Sequence, residues 1–122
     1  MNPKDKKATI LIVEDNEDNS FLLVSLLRKK YDLKKAVNGK EAVAQMENGG
    51  IDLVLMDLKM IVMDGFEATH LIREFNKETP IIAVSANVME SDRKKAEVVG
   101  CNDFLPKPII SRELFNMIEK YL

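Results

Sequence analysis

Apolar residues in this chain come in short runs, and each run ends on a residue that can carry chemistry. Ile10-Leu11-Ile12-Val13 is followed by Glu14 and Asp15, and Leu53-Val54-Leu55-Met56 by Asp57. Ile81-Ile82-Ala83-Val84 is followed by Ser85, and Phe104-Leu105-Pro106 by Lys107. Runs of this length and composition read as strands buried on both faces. Between them, apolar positions fall at helical spacing. Strands alternating with helical stretches about five times predict an α/β class, a parallel sheet with helices on both faces.

The elements follow from the same pattern. Strand one is Thr9 to Val13. Helix one runs to about Lys29, with Phe21, Leu22, Leu23, Leu26 and Leu27 on its inner side. Strand two, Leu33 to Val37, contains Lys34 and Lys35; central parallel strands are apolar on both faces, so this one reads as an edge. Helix two starts at Asn38, whose spacing to Glu41 fits a capping box, and stops at Gly49-Gly50. Strand three, Ile51 to Met56, reads as central. Helix three starts near Asp64, again with an acid three residues on at Glu67. Pro80 opens strand four, Ile81 to Val84. Helix four, Glu90 to Val99, is polar from Glu90 to Lys95 and offers only Ala96, Val98 and Val99 for burial before Gly100 stops it. Strand five is Asp103 to Pro106. Helix five runs from Ser111 to the end, with Leu114, Phe115, Ile118 and Leu122 at helical spacing.

Composition narrows the class. A chain of 122 residues fits one domain, expected here over residues 9–122 behind a polar, lysine-rich tail at residues 1–8. With 46% hydrophobic and 31% charged residues, it can build a substantial core. A net charge of −2 favours neither nucleic acid nor an anionic membrane surface. No apolar run approaches the roughly 18 residues of a membrane span. Cys101 is the single cysteine, which excludes an internal disulfide and fits a reducing, cytoplasmic compartment.

Ligands of open parallel sheets bind beyond the carboxyl ends of the strands. The chain therefore gathers Glu14, Asp15, Asp57, Ser85 and Lys107 at one rim. Three unpaired carboxylates buried together repel one another, and a divalent cation removes the conflict. Magnesium takes oxygen ligands, commonly one or two carboxylates with waters and phosphate oxygens. A carboxylate can also attack phosphorus and form an acyl phosphate, whose oxygens need an ammonium and a hydroxyl nearby. Taken singly, each residue has a plainer reading: acidic residues at a helix start for Glu14-Asp15, loop or strand-end caps for Asp57 and Ser85, a solvated surface lysine for Lys107. Pro108 restricts the backbone after Lys107 and suits a cis peptide bond.

With these residues in view, the chain resembles a response-regulator receiver domain of two-component phosphorelays. The segments that carry the resemblance are Ile10-Leu11-Ile12-Val13-Glu14-Asp15-Asn16, Leu55-Met56-Asp57-Leu58-Lys59-Met60 with Met63-Asp64-Gly65, Ala83-Val84-Ser85-Ala86, and Phe104-Leu105-Pro106-Lys107-Pro108. They span about Thr9 to Leu122, and the wording is most like receivers of hybrid sensor kinases and of stand-alone regulators. The resemblance implies a flavodoxin-like five-stranded sheet in the order 2-1-3-4-5. It implies that Asp57 accepts the phosphoryl group and that Glu14, Asp15, Asp57 and the backbone carbonyl of Lys59 hold Mg2+. It also implies that Ser85 and Lys107 contact the phosphoryl oxygens and that Ser85 and Phe104 form the switch. The expected partners are a histidine kinase or histidine phosphotransfer protein and a downstream protein target, the latter at a face of helix four, strand five and helix five. Direct nucleic-acid binding and membrane insertion are not expected. Two departures stand out. Family members commonly carry Pro where this chain has Ile61, which implies a less rigid loop. Lys59 lies where its side chain can reach over the site, which bears on the rate of phosphate loss.

Rival classes fit less well. A haloacid-dehalogenase-type aspartyl-phosphate phosphatase needs a second Asp two residues after the nucleophile; here that residue is Lys59. A flavodoxin-like cofactor binder needs a phosphate-cradling loop after strand one, and Glu14-Asp15-Asn16-Glu17-Asp18 would repel phosphate. A degenerate receiver would lack site residues that are filled here. The expected role is thus a phosphorylatable switch, not an enzyme acting on a separate substrate. His70, the one histidine, reads as a surface or partly buried residue of helix three. Cys101 reads as a small buried hydrophobe, most methionines as core filler, and Arg93, Lys94 and Lys95 as a solvated helix face.

Overall fold

Apolar runs pair side by side because pairing lets them bury their faces, and a charged run joins them at one edge. The computed structural model describes residues 7–86 and 89–122. In chain order the elements are β1 (Thr9–Val13), α1 (Glu17–Leu27), β2 (Asp32–Ala36), α2 (Gly39–Asn48), β3 (Leu53–Asp57), α3 (Gly65–Arg73), β4 (Ile81–Ser85), α4 (Glu90–Val99), β5 (Asp103–Pro106) and α5 (Ser111–Tyr121). All strand pairs are parallel, in the order β2-β1-β3-β4-β5. Of the expected tail, residues 1–6 lie outside the described residues.

Side chains alternate between the faces of the sheet. Ile10, Ile12, Leu53, Leu55, Ile82 and Val84 pack beneath α1 and α5, against Leu23, Leu27, Leu114 and Ile118. Leu11, Val13, Val54, Met56, Ile81 and Ala83 pack on the other face, against Ala42, Met46, Phe66, Ala68 and Ile72 of α2 and α3 and against Ala96 of α4. β3 and β4 are buried along their whole length. β2 is the edge and keeps Asp32, Lys34 and Lys35 exposed, as charged edges should to avoid pairing with other chains. It begins and ends one residue earlier than expected. Among the described residues, no helix is long and apolar enough to cross a membrane.

Three helices start on side-chain caps. Asn16 accepts from the Asn19 N–H at 2.9 Å, Asn38 from Glu41 at 2.8 Å and Asp64 from Glu67 at 2.9 Å. α4 and α5 start at Met89 and Ile110 without a side-chain cap bond. One expectation for α1 is corrected. Phe21 is 72% exposed and Leu22 is 44% exposed; Ser20, Leu23 and Leu27 form the inward stripe. Five apolar residues in seven cannot all share one stripe at 3.6 residues per turn. Cys101 is buried and His70 exposed, in line with their plain readings.

Candidate functional site

The strand register assembles the site one step at a time. Val13 pairs with Met56, so the residues that follow them, Glu14 and Asp57, emerge side by side. Asp57 pairs with Val84, which sets Ser85 next along that rim; Ser85 pairs with Pro106, and Lys107 follows. The Lys107 N–H donates to the Ser85 carbonyl at 2.9 Å, and the Lys107-Pro108 bond is cis. Carboxylate oxygens of Glu14, Asp15 and Asp57 lie within 4.8 Å of one another. Glu14 and Asp57 are buried and Asp15 is exposed, so the cluster opens to solvent on one side. Ser85 is buried at the end of β4.

Lys107 is the cation of this cluster. Its Nζ lies 2.9 Å from Glu14 Oε1 and 3.5 Å from Asp57 Oδ2. The backbone N–H of Lys59 donates to Asp57 Oδ1 at 3.1 Å, and that of Asn16 to Glu14 Oε2 at 3.2 Å. By these groups alone, one ammonium cannot satisfy two buried carboxylates. Burial, and then the hydrogen bond shared with Glu14, push the Asp57 carboxyl up to about 7. Burial would raise Glu14 too, but hydrogen bonds from Asp57, Lys107 and the Asn16 backbone outweigh it and hold Glu14 below its ordinary range. Burial opposes the charge on Lys107, yet its pairing with Glu14 and Asp57 raises it. The cluster therefore holds excess negative charge and hard oxygen donors facing one opening. That donor set fits a hard divalent cation such as magnesium better than a soft one.

The loop that carries Lys59 is held from two sides by close backbone approach. The Gly39 N–H donates to the Met63 carbonyl at 3.0 Å, and a Cβ on Gly39 would lie 2.3 Å from that oxygen. A Cβ on Gly65 would lie 2.3 Å from the carbonyl oxygen of Asp57 itself. Met63 takes φ +52°, a left-handed conformation uncommon for a residue with a side chain. The loop after Asp57 is thus pinned at Met63 and Gly65 although Ile61, 94% exposed, replaces the expected proline. Sequence reasoning missed both glycines as supports. The available signal was Gly65 at the first position of a helix, where glycine is costly and needs a reason.

The cationic run of α4 is also more than a solvated face. The Arg93 guanidinium lies 4.7 Å from the centroid of the Phe104 ring, and Lys95 Nζ lies 4.3 Å from that of Phe66. Phe104 is buried, with Arg93 over its ring.

The sheet order is the one the resemblance implied, the three acids and the lysine meet at one rim, and the response regulator receiver domain family matches residues 10–119. The chain belongs to that family. This receiver is 40% identical over 129 residues to hybrid signal transduction histidine kinase G of Dictyostelium discoideum; the match covers 96% of the chain but 4% of that kinase. Its fold is similar to the receiver domain of Ssk1 of Saccharomyces cerevisiae, solved with the histidine phosphotransfer protein Ypd1. There the TM-score is 0.89 at 39% identity, over 94% of this chain and 88% of that one. It is also similar to the receiver of a sensor histidine kinase of Pseudomonas aeruginosa with a magnesium ion in its active-site cleft. That TM-score is 0.89 at 34% identity, over 95% of this chain and 98% of that one. The family match does not favour the dehalogenase-type phosphatase.

Proposed function

We propose that this receiver accepts a phosphoryl group on Asp57 from the phosphohistidine of a histidine phosphotransfer protein or histidine kinase. The observation that carries the reading is the convergence of Glu14, Asp15 and Asp57 within 4.8 Å, with the Lys107 ammonium 3.5 Å from Asp57. An Asp57 carboxylate oxygen attacks phosphorus, the P–N bond to the donor imidazole breaks, and an aspartyl phosphate forms. Glu14, Asp15, Asp57 and the Lys59 carbonyl would hold a magnesium ion, which when bound offsets the charge of the acids and of the transferring group. Lys107 pairs with the phosphoryl oxygens, and the Ser85 hydroxyl donates to them. The product is a state of the chain itself, so the protein is a switch and not an enzyme with a separate substrate.

The surface around the acids supports a protein donor. Phe21 and Leu22 of α1, Ile61 and Val62 after β3, Met89 before α4 and Ile110 before α5 are all large, apolar and exposed. Most of the large apolar exposure among the described residues is gathered at this end of the sheet. Exposed apolar surface rimmed by polar groups marks interaction sites. Beside it, a groove of about 400 Å³ runs between α1 and the end of β2, past Asp15, Phe21 and Val37. The Ssk1 receiver was solved with a histidine phosphotransfer protein, which gives the same class of partner for this chain. The downstream target would read α4, β5 and α5.

The test is incubation with a small phosphodonor such as acetyl phosphate and magnesium. The wild-type chain should gain one hydroxylamine-labile phosphoryl group and Asp57→Asn none. Undiminished labelling of Asp57→Asn would overturn the assignment.

A further inference from the structure

We propose that Lys59 is a two-position cation that couples the phosphoryl site to α4, with Asp92 as the residue that positions it at rest. This rests on Asp57 as the phosphoacceptor. Lys59 follows Asp57 by two residues, and its backbone N–H already bonds Asp57 Oδ1. Its ammonium, however, is turned toward α4. Nζ lies 3.9 Å from Asp92 Oδ2 in the first turn of that helix and 5.8 Å from the centroid of the Phe66 ring. The Asp92 side chain is 17% exposed and that of Lys59 58% exposed, so the anchor is sheltered and the lever is free to move.

α4 has little else to fix it. Ala96 is its one buried residue, and its start lacks a side-chain cap bond. Among the described residues, Val99 adds partial packing against the core, and two cations lie over rings: Lys95 on Phe66 and Arg93 on Phe104. Lys59 shares the Phe66 ring with Lys95, so a single aromatic residue joins the loop after Asp57 to the helix.

A phosphoryl group on Asp57 places new anionic oxygens beside the root of Lys59. A lysine is a compact charge on a flexible four-carbon stem, so its ammonium can leave Asp92 for those oxygens. Asp92 then loses its partner, and α4 loses the tie that connects it to the site. At 3.9 Å and with an exposed lysine the pair is weak, about two- to fivefold in an equilibrium. A latch that must open on a signal needs that weakness.

The experiment uses the 122-residue chain with magnesium and beryllofluoride as the phosphoryl mimic, read by amide NMR and by titration. Asp92→Asn frees the lever and should tighten beryllofluoride binding about two- to fivefold. Its α4 amides, before any mimic is added, should already lie part-way toward the mimic-bound positions. In a Lys59→Gln background the same Asp92→Asn change should do neither, and the mimic should shift the loops around Asp15 and Asp57 while leaving α4 nearly unmoved. Equal effects of Asp92→Asn with and without Lys59 would overturn the coupling. So would α4 shifts of wild-type size in Lys59→Gln. If beryllofluoride shifts no pocket amide of the wild-type chain, the phosphoacceptor reading itself falls, and the coupling with it.

Discussion

Asp57 carries an electrostatic penalty that the fold itself creates. Its carboxyl ordinarily titrates near 3.8, and burial with Glu14 raises it to about 7 in the folded chain. Between those values the folded state binds more protons than the unfolded state, so this group's contribution to stability falls as pH rises from about 4 to about 7. In magnesium-free buffer, Asp57→Asn should therefore be more stable than wild type at pH 8 by about 1–3 kcal/mol. The gap should close as pH falls toward 4. Urea unfolding at several pH values would show it, and an Asn variant less stable at pH 8 would mean that Lys107 already neutralises the site. Gly65 makes the opposite case. A Cβ there meets the Asp57 carbonyl oxygen at 2.3 Å, so Gly65→Ala should cost about 1–3 kcal/mol and slow labelling of Asp57 by acetyl phosphate. Asp57, Glu14, Asp15, Ser85 and Lys107 were legible in the sequence because each ends a strand or lies within two residues of its end, and strand ends in a parallel sheet meet at one rim. Gly39 and Gly65 were not, because their role lies in how closely two loops approach in space.

At the scale of single elements, what could be read depended on how strongly the local pattern specified the helix. α2 and α3 announce themselves with an Asn or Asp cap and an acid three residues later, and both caps form. α1 was placed in the right stretch but turned the wrong way in part, because its apolar residues outnumber the positions one buried stripe holds. The correction has a measurable consequence. Leu23→Ala should cost about 2–4 kcal/mol, as for a buried leucine elsewhere. Phe21→Ala should stay within about 0.5 kcal/mol in urea unfolding. α4 has the reverse character: its ends match the sequence reading and Arg93, Lys94 and Lys95 are exposed as read, while the ring contacts of Arg93 and Lys95 went unseen. The run Arg93-Lys94-Lys95 looks solvated in sequence, since a cation's aromatic partner on a distant element leaves no periodic signal. With Ala96 alone buried, α4 amides should exchange with deuterium sooner than those of α3, which buries Phe66, Ala68, Thr69 and Ile72. Equal protection in the two helices would show that the cations on Phe66 and Phe104 anchor α4 as firmly as burial does.

Taken as a whole molecule, the receiver stacks two apolar cores on one sheet and places its unfavourable charge at the sheet's carboxyl edge. A single sheet shared by both cores should unfold as one cooperative unit. Whatever relieves the charge at the rim is then felt as global stability, even though the ion touches only loop and strand-end residues. A ligand that binds the folded chain alone stabilises it by RT ln(1 + [L]/Kd), about 1.4 kcal/mol at ten times Kd. Magnesium at that level should therefore shift the wild-type urea curve by about that amount at pH 8. The Asp57→Asn protein, already relieved of the conflict, should gain much less, so the stability gap that favours it without metal should narrow when magnesium is added. Asp15→Ala should also lose most of the increment, because Asp15 is the exposed acid of the triad. Glu113→Ala, an exposed acid in the first turn of α5 and outside the triad, should keep it. This pattern separates a bound ion from general screening, since screening by a few millimolar salt would move all four proteins alike. A uniform shift would argue that the three acids do not act as one metal site.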